Sequence, residues 1–259
     1  MFNWLKSTFT KNNYIYEPQP LMPRTVNITD VNFHFAMPEN FSLDMPGDDL
    51  VEKVDLNKHG ITDNCSIQLI KRWWDFYCGP PSVKNTIGTL MLSLDIYPRK
   101  KHITGSLFDY DTMVNSVYHD ILKEFSVTSA EDTLVMGEIL PNAATDLDEF
   151  SNNGRNWVIV GIGYPDNTSN ALNIYSTPIS DDWYLRARFM HSTGGGKNSG
   201  PFLRRSLGEQ MRILESCELD FITAEPVIRP PIEHKLSLGP LTKEEQEISD
   251  EQNKKYFGY

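Results

Sequence analysis

The order of its periodicities bears hardest on what this chain can fold into. Residues Asp109 to Phe125 place Tyr110, Met113, Val114, Val117, Tyr118, Ile121, Leu122 and Phe125 at i, i+3, i+4, i+7, i+8, i+11, i+12 and i+15. That is a continuous apolar stripe at the helical period, and Asp109 stands where an N-cap belongs. A second stripe of Leu203, Leu207, Gln210, Met211 and Leu214 predicts a helix over 201–216, with Pro201 in its first turn. Several strand-like runs precede each helix, and strands and helices do not alternate one by one. A parallel sheet needs such βαβ alternation. The expected fold class is therefore α+β, a largely antiparallel sheet packed by two long amphipathic helices, about 109–125 and 201–216.

Strand signals begin with Val31, Phe33 and Phe35, then Phe41, Leu43 and Met45, around a corner marked by Pro38 and Pro46. The runs VEKVDL, SIQLIKRWWDFYC and GTLMLSLDIYP follow, and Gly79-Pro80-Pro81 separates the last two. After the first helix come DTLVMGEIL, WVIVGIGY, ALNIYST and DWYLRARFMH, and CELDFIT closes the series. Asn152-Asn153-Gly154, Pro165-Asp166-Asn167 and Pro178 to Asp182 are the expected turns. Trp73 and Trp74 are adjacent on a strand and must face opposite ways, so one belongs to the core and the other to the far face. Residues 1–20 read as an N-terminal segment whose Phe2, Trp4, Leu5 and Phe9 can form one face of a short helix. Residues 21–224 read as a single domain, and 225–259 as a Pro-rich, charged C-terminal extension, because EPVIRPPIEHKLSLGPL carries four prolines.

Of the 259 residues 39% are hydrophobic and 11% aromatic, which is globular composition. The formal net charge of −11 disfavours nonspecific binding to nucleic acid or to an anionic membrane, and it speeds association with a basic protein. The start carries no apolar signal segment and no run approaches a membrane span, so the expected location is the cytoplasm. The glycine run HSTGGGKNSG invites comparison with a phosphate-binding loop. Counting back from Gly196-Lys197, the first required glycine falls on His191, and the residue after the lysine is Asn198, without a hydroxyl. No nucleotide site is expected there. Six histidines are scattered singly and three cysteines form no CxxC, so neither a metal nor a cofactor is expected. No nucleophile elbow is present, and no catalytic residue is assigned.

Carboxylates cluster in the expected turns, where aspartate commonly serves as a turn former. Acidic turns beside aromatic strands also make an interface of aromatic anchors with a charged rim. On that basis the candidate partner-binding residues are Asp146, Asp148 and Glu149, Asp181 and Asp182, with Trp183 and Trp74 as aromatic anchors.

The pattern Phe41-x-Leu43-x-x-Pro46 resembles the apolar strand and proline that open the PsbP-like/DcrB-like α+β domains. Leu203 through Ile213-Leu214-x-Ser216 into Glu218-Leu219-Asp220-Phe221 is similar to the final helix and strand of that family, with Trp183 to Phe189 as the preceding strand. The resemblance covers about a third of a chain that also has a central insert and a C-terminal extension. It implies a non-enzymatic protein-binding domain, since some bacterial members act as chaperones for type VI secretion effectors, and it carries over no catalytic residue. The expected function is a bacterial immunity protein that binds and neutralises a cognate basic antibacterial toxin, type VI-secreted and of nuclease type. An effector chaperone or secretion adaptor is the alternative, and a hydrolase without a linear motif is the second.

Overall fold

The computed structural model of the chain describes residues 20–39, 42, 45, 47–60, 66–77, 85–126, 141, 143–163, 170–193 and 199–223. In chain order the elements are β1 (Met22–Ile28), β2 (Val31–Met37), β3 (Lys53–Val54), β4 (Ile67–Tyr77), β5 (Thr86–Pro98) and α1 (Tyr110–Ser126). They continue with β6 (Asp148–Asn152), β7 (Arg155–Gly163), β8 (Asn170–Pro178), β9 (Trp183–Ser192), α2 (Ser199–Glu215) and β10 (Glu218–Phe221).

The strands form two sheets where one was expected. The larger runs β4-β5-β9-β8-β7-β6, with every neighbouring pair antiparallel. The smaller runs β10-β2-β1-β3, antiparallel except for the two-residue pairing of β3 with β1. Burial explains the division. In β2 the side chains alternate, with Val31, Phe33, Phe35 and Met37 buried, as in a strand with one face turned inward. In β5 every residue from Leu90 to Ile96 is buried, so this strand needs cover on both faces.

The two faces of the large sheet feed two apolar clusters. Leu90, Leu92, Leu94 and Ile96 of β5 and Leu185, Ala187 and Phe189 of β9 join Val26, Phe33 and Phe35 of the small sheet. Phe202, Ile213 and Leu214 of α2 belong to the same cluster. On the other face Val158, Val160, Ile162, Leu172 and Ile174 cluster with Met113, Val114, Val117 and Ile121 of α1. Asp109 caps α1 as expected, its carboxylate accepting the Thr112 N–H at 3.0 Å. The single-sheet expectation failed because the alternation within one strand does not say which other strand it faces.

Residues 148–151 were assigned no element from the sequence and, with Asn152, form the edge strand β6, which leads into the turn expected at 152–154. The turn is the two-residue loop that follows, where Asn153 and Gly154 both have positive φ (48° and 75°), as a type I′ hairpin requires. Its asparagines also serve α2. The Asn152 amide donates to the carbonyls of Leu214 (2.6 Å) and Cys217 (3.0 Å), and that of Asn153 to Glu215 (3.2 Å) and Cys217 (2.9 Å). These carbonyls lie in and just beyond the last turn of α2, where the ladder of intrahelical hydrogen bonds runs out. The strands expected at 39–46 and 132–140, the turn at 165–167 and the N- and C-terminal segments lie in part or wholly outside the described residues.

Gly88 of β5 lies under α2. A Cβ there would sit 2.6 Å from ring carbons of Phe202, which is fully buried edge-on to Phe76 at a centroid distance of 5.3 Å. Gly88→Ala is therefore expected to destabilise the fold by about 1–3 kcal/mol through overpacking. The expected readout is a lower urea midpoint at unchanged m value.

Candidate binding cleft

Three turns meet beside the ends of the two sheets. They are the β1–β2 turn, the short 3₁₀ turn Leu56–Lys58 and the β8–β9 hairpin loop. Between them lies a cavity of about 230 Å³. Its apolar lining comes from Ile28, Val31, Leu56, Ile179 and Trp183, and its carboxylates are Asp30, Asp181 and Asp182.

Local chemistry sets the shape of this cleft. Thr29 turns the β1–β2 hairpin at φ 46°, a left-handed conformation that β-branched residues rarely adopt. Its hydroxyl accepts the Leu56 N–H at 2.8 Å, and its own N–H donates to the Val54 carbonyl at 2.9 Å, so the 3₁₀ turn holds it in place. In the β8–β9 loop the N–H groups of Ile179 and Ser180 both donate to the Trp183 carbonyl, at 2.9 and 3.0 Å. The segment after β5 braces that loop. Arg99 N–H donates to the Asp182 carbonyl at 2.7 Å, and Leu107 N–H to that of Asp181 at 3.0 Å. The Arg99 guanidinium grips the Asp182 carboxylate through Nε (3.1 Å) and Nη2 (2.6 Å), and the Ser106 hydroxyl donates to Asp181. Asp30 and Asp181 are exposed. Among the described residues no ion pair engages either carboxylate.

Of the residues chosen from sequence, Asp181, Asp182 and Trp183 meet at this cleft. Trp183 is 5% exposed, so it forms part of the wall and of the core at once. The others lie elsewhere. Asp146 ends the short turn Ala144–Asp146 and its carboxylate accepts the Ala143 N–H at 3.0 Å, Asp148 is exposed, and Glu149 is buried on β6. Asp148 and Glu149 sit on the edge strand of the large sheet, and Asp146 just before it. Trp74 is on β4 at the opposite edge and is the core member of the tryptophan pair. Its indole N–H donates to the carbonyls of Glu39 (2.8 Å) and Pro38 (3.3 Å). Trp73 faces the other way with the Lys71 ammonium 5.1 Å from its ring centroid. Asp30, Thr29 and Arg99 were missed. A Thr-Asp pair between apolar runs was the available turn signal for the first two.

Two buried polar clusters lie apart from the cleft. In the first, Asp120 of α1 accepts from the Lys100 ammonium and the Tyr184 hydroxyl and stands 3.6 Å from Arg186. Arg186 is fully buried, stacks on Tyr97 at 3.9 Å and pairs with Glu124 at 3.2 Å; Arg188 pairs with Glu124 at 2.5 Å. Burial raises the Tyr184 phenol well above its ordinary pKa, and the facing guanidinium only partly offsets this. Lys100 and Asp120 are each about 5% exposed, so the charges balance one another rather than water.

In the second cluster His191 Nδ1 bonds to the Ser206 hydroxyl at 2.7 Å and Nε2 to Gln210 Oε1 at 2.8 Å. Gln210 donates to the Tyr175 hydroxyl at 2.7 Å, and Asn173 donates to Gln210 Oε1 at 3.0 Å. A serine against a histidine is the start of a nucleophile–base pair. Here a neutral amide stands where an orienting carboxylate would, and both Ser206 and His191 are 0% exposed, so no substrate atom reaches the hydroxyl. Burial lowers the His191 pKa and raises that of Tyr175 to about 12, which keeps both rings neutral. Among the described residues no three His, Cys, Asp or Glu side chains converge as metal ligands, and no helix is long and apolar enough to cross a membrane.

No protein-family description matches the chain, and no curated protein matches it. A solved structure, that of LpqN involved in cell envelope biogenesis of Mycobacterium tuberculosis, aligns over 84% of this chain and 95% of its own at 11% identity, with a TM-score of 0.34. That score lies below the level at which a shared fold is read.

Asp120→Ala is expected to cost about 3–5 kcal/mol, because it leaves Lys100 and Arg186 buried without their shared carboxylate. Chemical denaturation measures this directly. His191 gives a pH dependence of known sign. The unfolded imidazole binds its proton near the ordinary value of about 6.5, and the folded one only at lower pH, so stability falls as pH drops below that value. In His191→Gln the stability-versus-pH curve between about pH 7 and 5 should be flatter than in the parent.

Proposed function

We propose that the chain is a non-enzymatic protein-binding protein whose acidic cleft takes a basic side chain of its partner. The observation that carries this reading is the cavity of about 230 Å³ with Ile28, Val31, Ile179 and Trp183 in its lining and Asp30, Asp181 and Asp182 as its carboxylates. A lysine or arginine presents the complementary profile, a hydrocarbon stem with a charged head. The net charge of −11 adds long-range attraction for a basic partner. Within this class the reading is a bacterial immunity protein that captures a cognate basic toxin of nuclease type. The likeness of Leu203–Phe221 to the PsbP-like/DcrB-like domains supports an effector chaperone as the second reading. In either case the two helices serve as scaffold, with Met113, Val114, Val117 and Ile121 of α1 and Phe202, Ile213 and Leu214 of α2 in the two buried clusters.

The test uses the tagged full chain as bait in its native bacterial lysate, beside an Asp30→Lys/Asp181→Lys bait. The expected result is one stoichiometric basic partner on the parent bait and its loss from the double variant. The purified pair should show affinity at least about ten-fold weaker in the variant, mostly through slower association. Equal capture by both baits would remove the cleft from the interface. Capture of a larger secreted protein through its apolar helices would establish the chaperone reading instead.

A further inference from the structure

The sequence scatters its histidines, and the fold brings two of them together. His102 sits in the turn after β5 and His119 on the exposed face of α1, and their rings meet with centroids 4.9 Å apart and planes at 90°. Both side chains are exposed. The turn that carries His102 is closed by the Ile103 N–H donating to the Lys100 carbonyl at 3.0 Å, and by the Arg99 guanidinium donating to the Ile103 carbonyl. His119 lies within a regular helix, directly before the buried Asp120. Neither ligand depends on a free-moving segment for its position.

We propose that His102 and His119 form a two-imidazole site for a borderline divalent transition-metal ion. Two imidazoles bound through nitrogen at about 2.1 Å, with an angle of about 90–110° at the metal, put their ring centroids about 4.5–5.2 Å apart. The observed separation falls inside that interval, and turning the two exposed rings out of their edge-to-face contact would let one nitrogen of each face a shared ion. No third protein ligand converges among the described residues, so water completes the coordination. The donor type selects the ion: calcium and magnesium take oxygen ligands, which excludes them from a site of two imidazole nitrogens. Ions held by strong metal–imidazole bonds remain, with copper(II) ahead of nickel(II) and zinc(II).

The test is titration of the full chain with copper(II) and with nickel(II) by calorimetry, with the copper(II) electron paramagnetic resonance spectrum as a second readout. The expected result is one ion per chain, a copper signal split by two nitrogens, and loss of both in His102→Ala and in His119→Ala. His59→Ala, which alters an exposed histidine at the end of the Leu56–Lys58 turn, should bind as the parent does. Far-UV circular dichroism checks the fold, and His119→Gln replaces His119→Ala if the alanine variant is misfolded. Nickel(II) should also raise the Tm of the parent and leave that of the His102→Ala variant unchanged, since only a bridged ion ties the turn to the helix. Unchanged heat and spectrum in either histidine variant, or no binding by the parent, overturns the proposal.

Discussion

Strands β5 and β9 are buried on both faces, and a sheet with such a centre has to be covered twice. One cover is the small sheet together with α2, which meet the large sheet in a single apolar cluster. The other is α1, whose apolar stripe shares a cluster with β7 and β8. Over β5 and β9 themselves the second face turns polar, and Tyr97, Tyr184, Arg186 and Arg188 meet Asp120 and Glu124 there. A buried arginine is tolerated only with its counter-charges in place, and here Asp120 and Glu124 of α1 supply them to Arg186 of β9.

The cleft is a by-product of the same layering. Where the two sheets end, their connecting turns meet side by side, and the space between them is walled by core residues and rimmed by turn residues. Turn residues are chosen for backbone conformation and for hydrogen bonding, which favours aspartate. The fold thus concentrates negative charge at a place already concave and apolar at its base. The bracing from Arg99, Ser106 and Leu107 fixes the hairpin of Asp181 and Asp182 in the free protein, so a partner would meet a preformed surface.

Both helices were legible in the sequence to within two residues at each end, because a stripe such as Met113, Val117 and Ile121 repeats at one period only. Most long strands were legible for the same reason. The division into two sheets was not, since Phe33 and Leu92 look alike in sequence and only tertiary contact puts them on opposite sides of one cluster. Strand β6 was obscured by its acidic residues, whose turn preference lost to pairing with β7 once Asn153-Gly154 had reversed the chain. Asp181, Asp182 and Trp183 could be chosen as a group because they are contiguous. Asp30 and the pair His102 and His119 could not, since nothing local links residues that meet only across elements.

The pairing of β10 with β2 has a consequence for how the chain is made. Glu218 to Phe221 lie beside Val31 to His34, and Ser216 ties the end of α2 to the backbone of Ala36 at 2.8 Å. The small sheet therefore joins strands nearly two hundred positions apart. On a ribosome, β1 and β2 emerge early and must wait through the synthesis of the whole large sheet with the apolar side of Phe33 and Phe35 uncovered. Contacts of such long sequence separation carry a large loop-closure cost and slow the final step of assembly. A nascent chain of this protein completes its small sheet only after β10 is free of the exit tunnel.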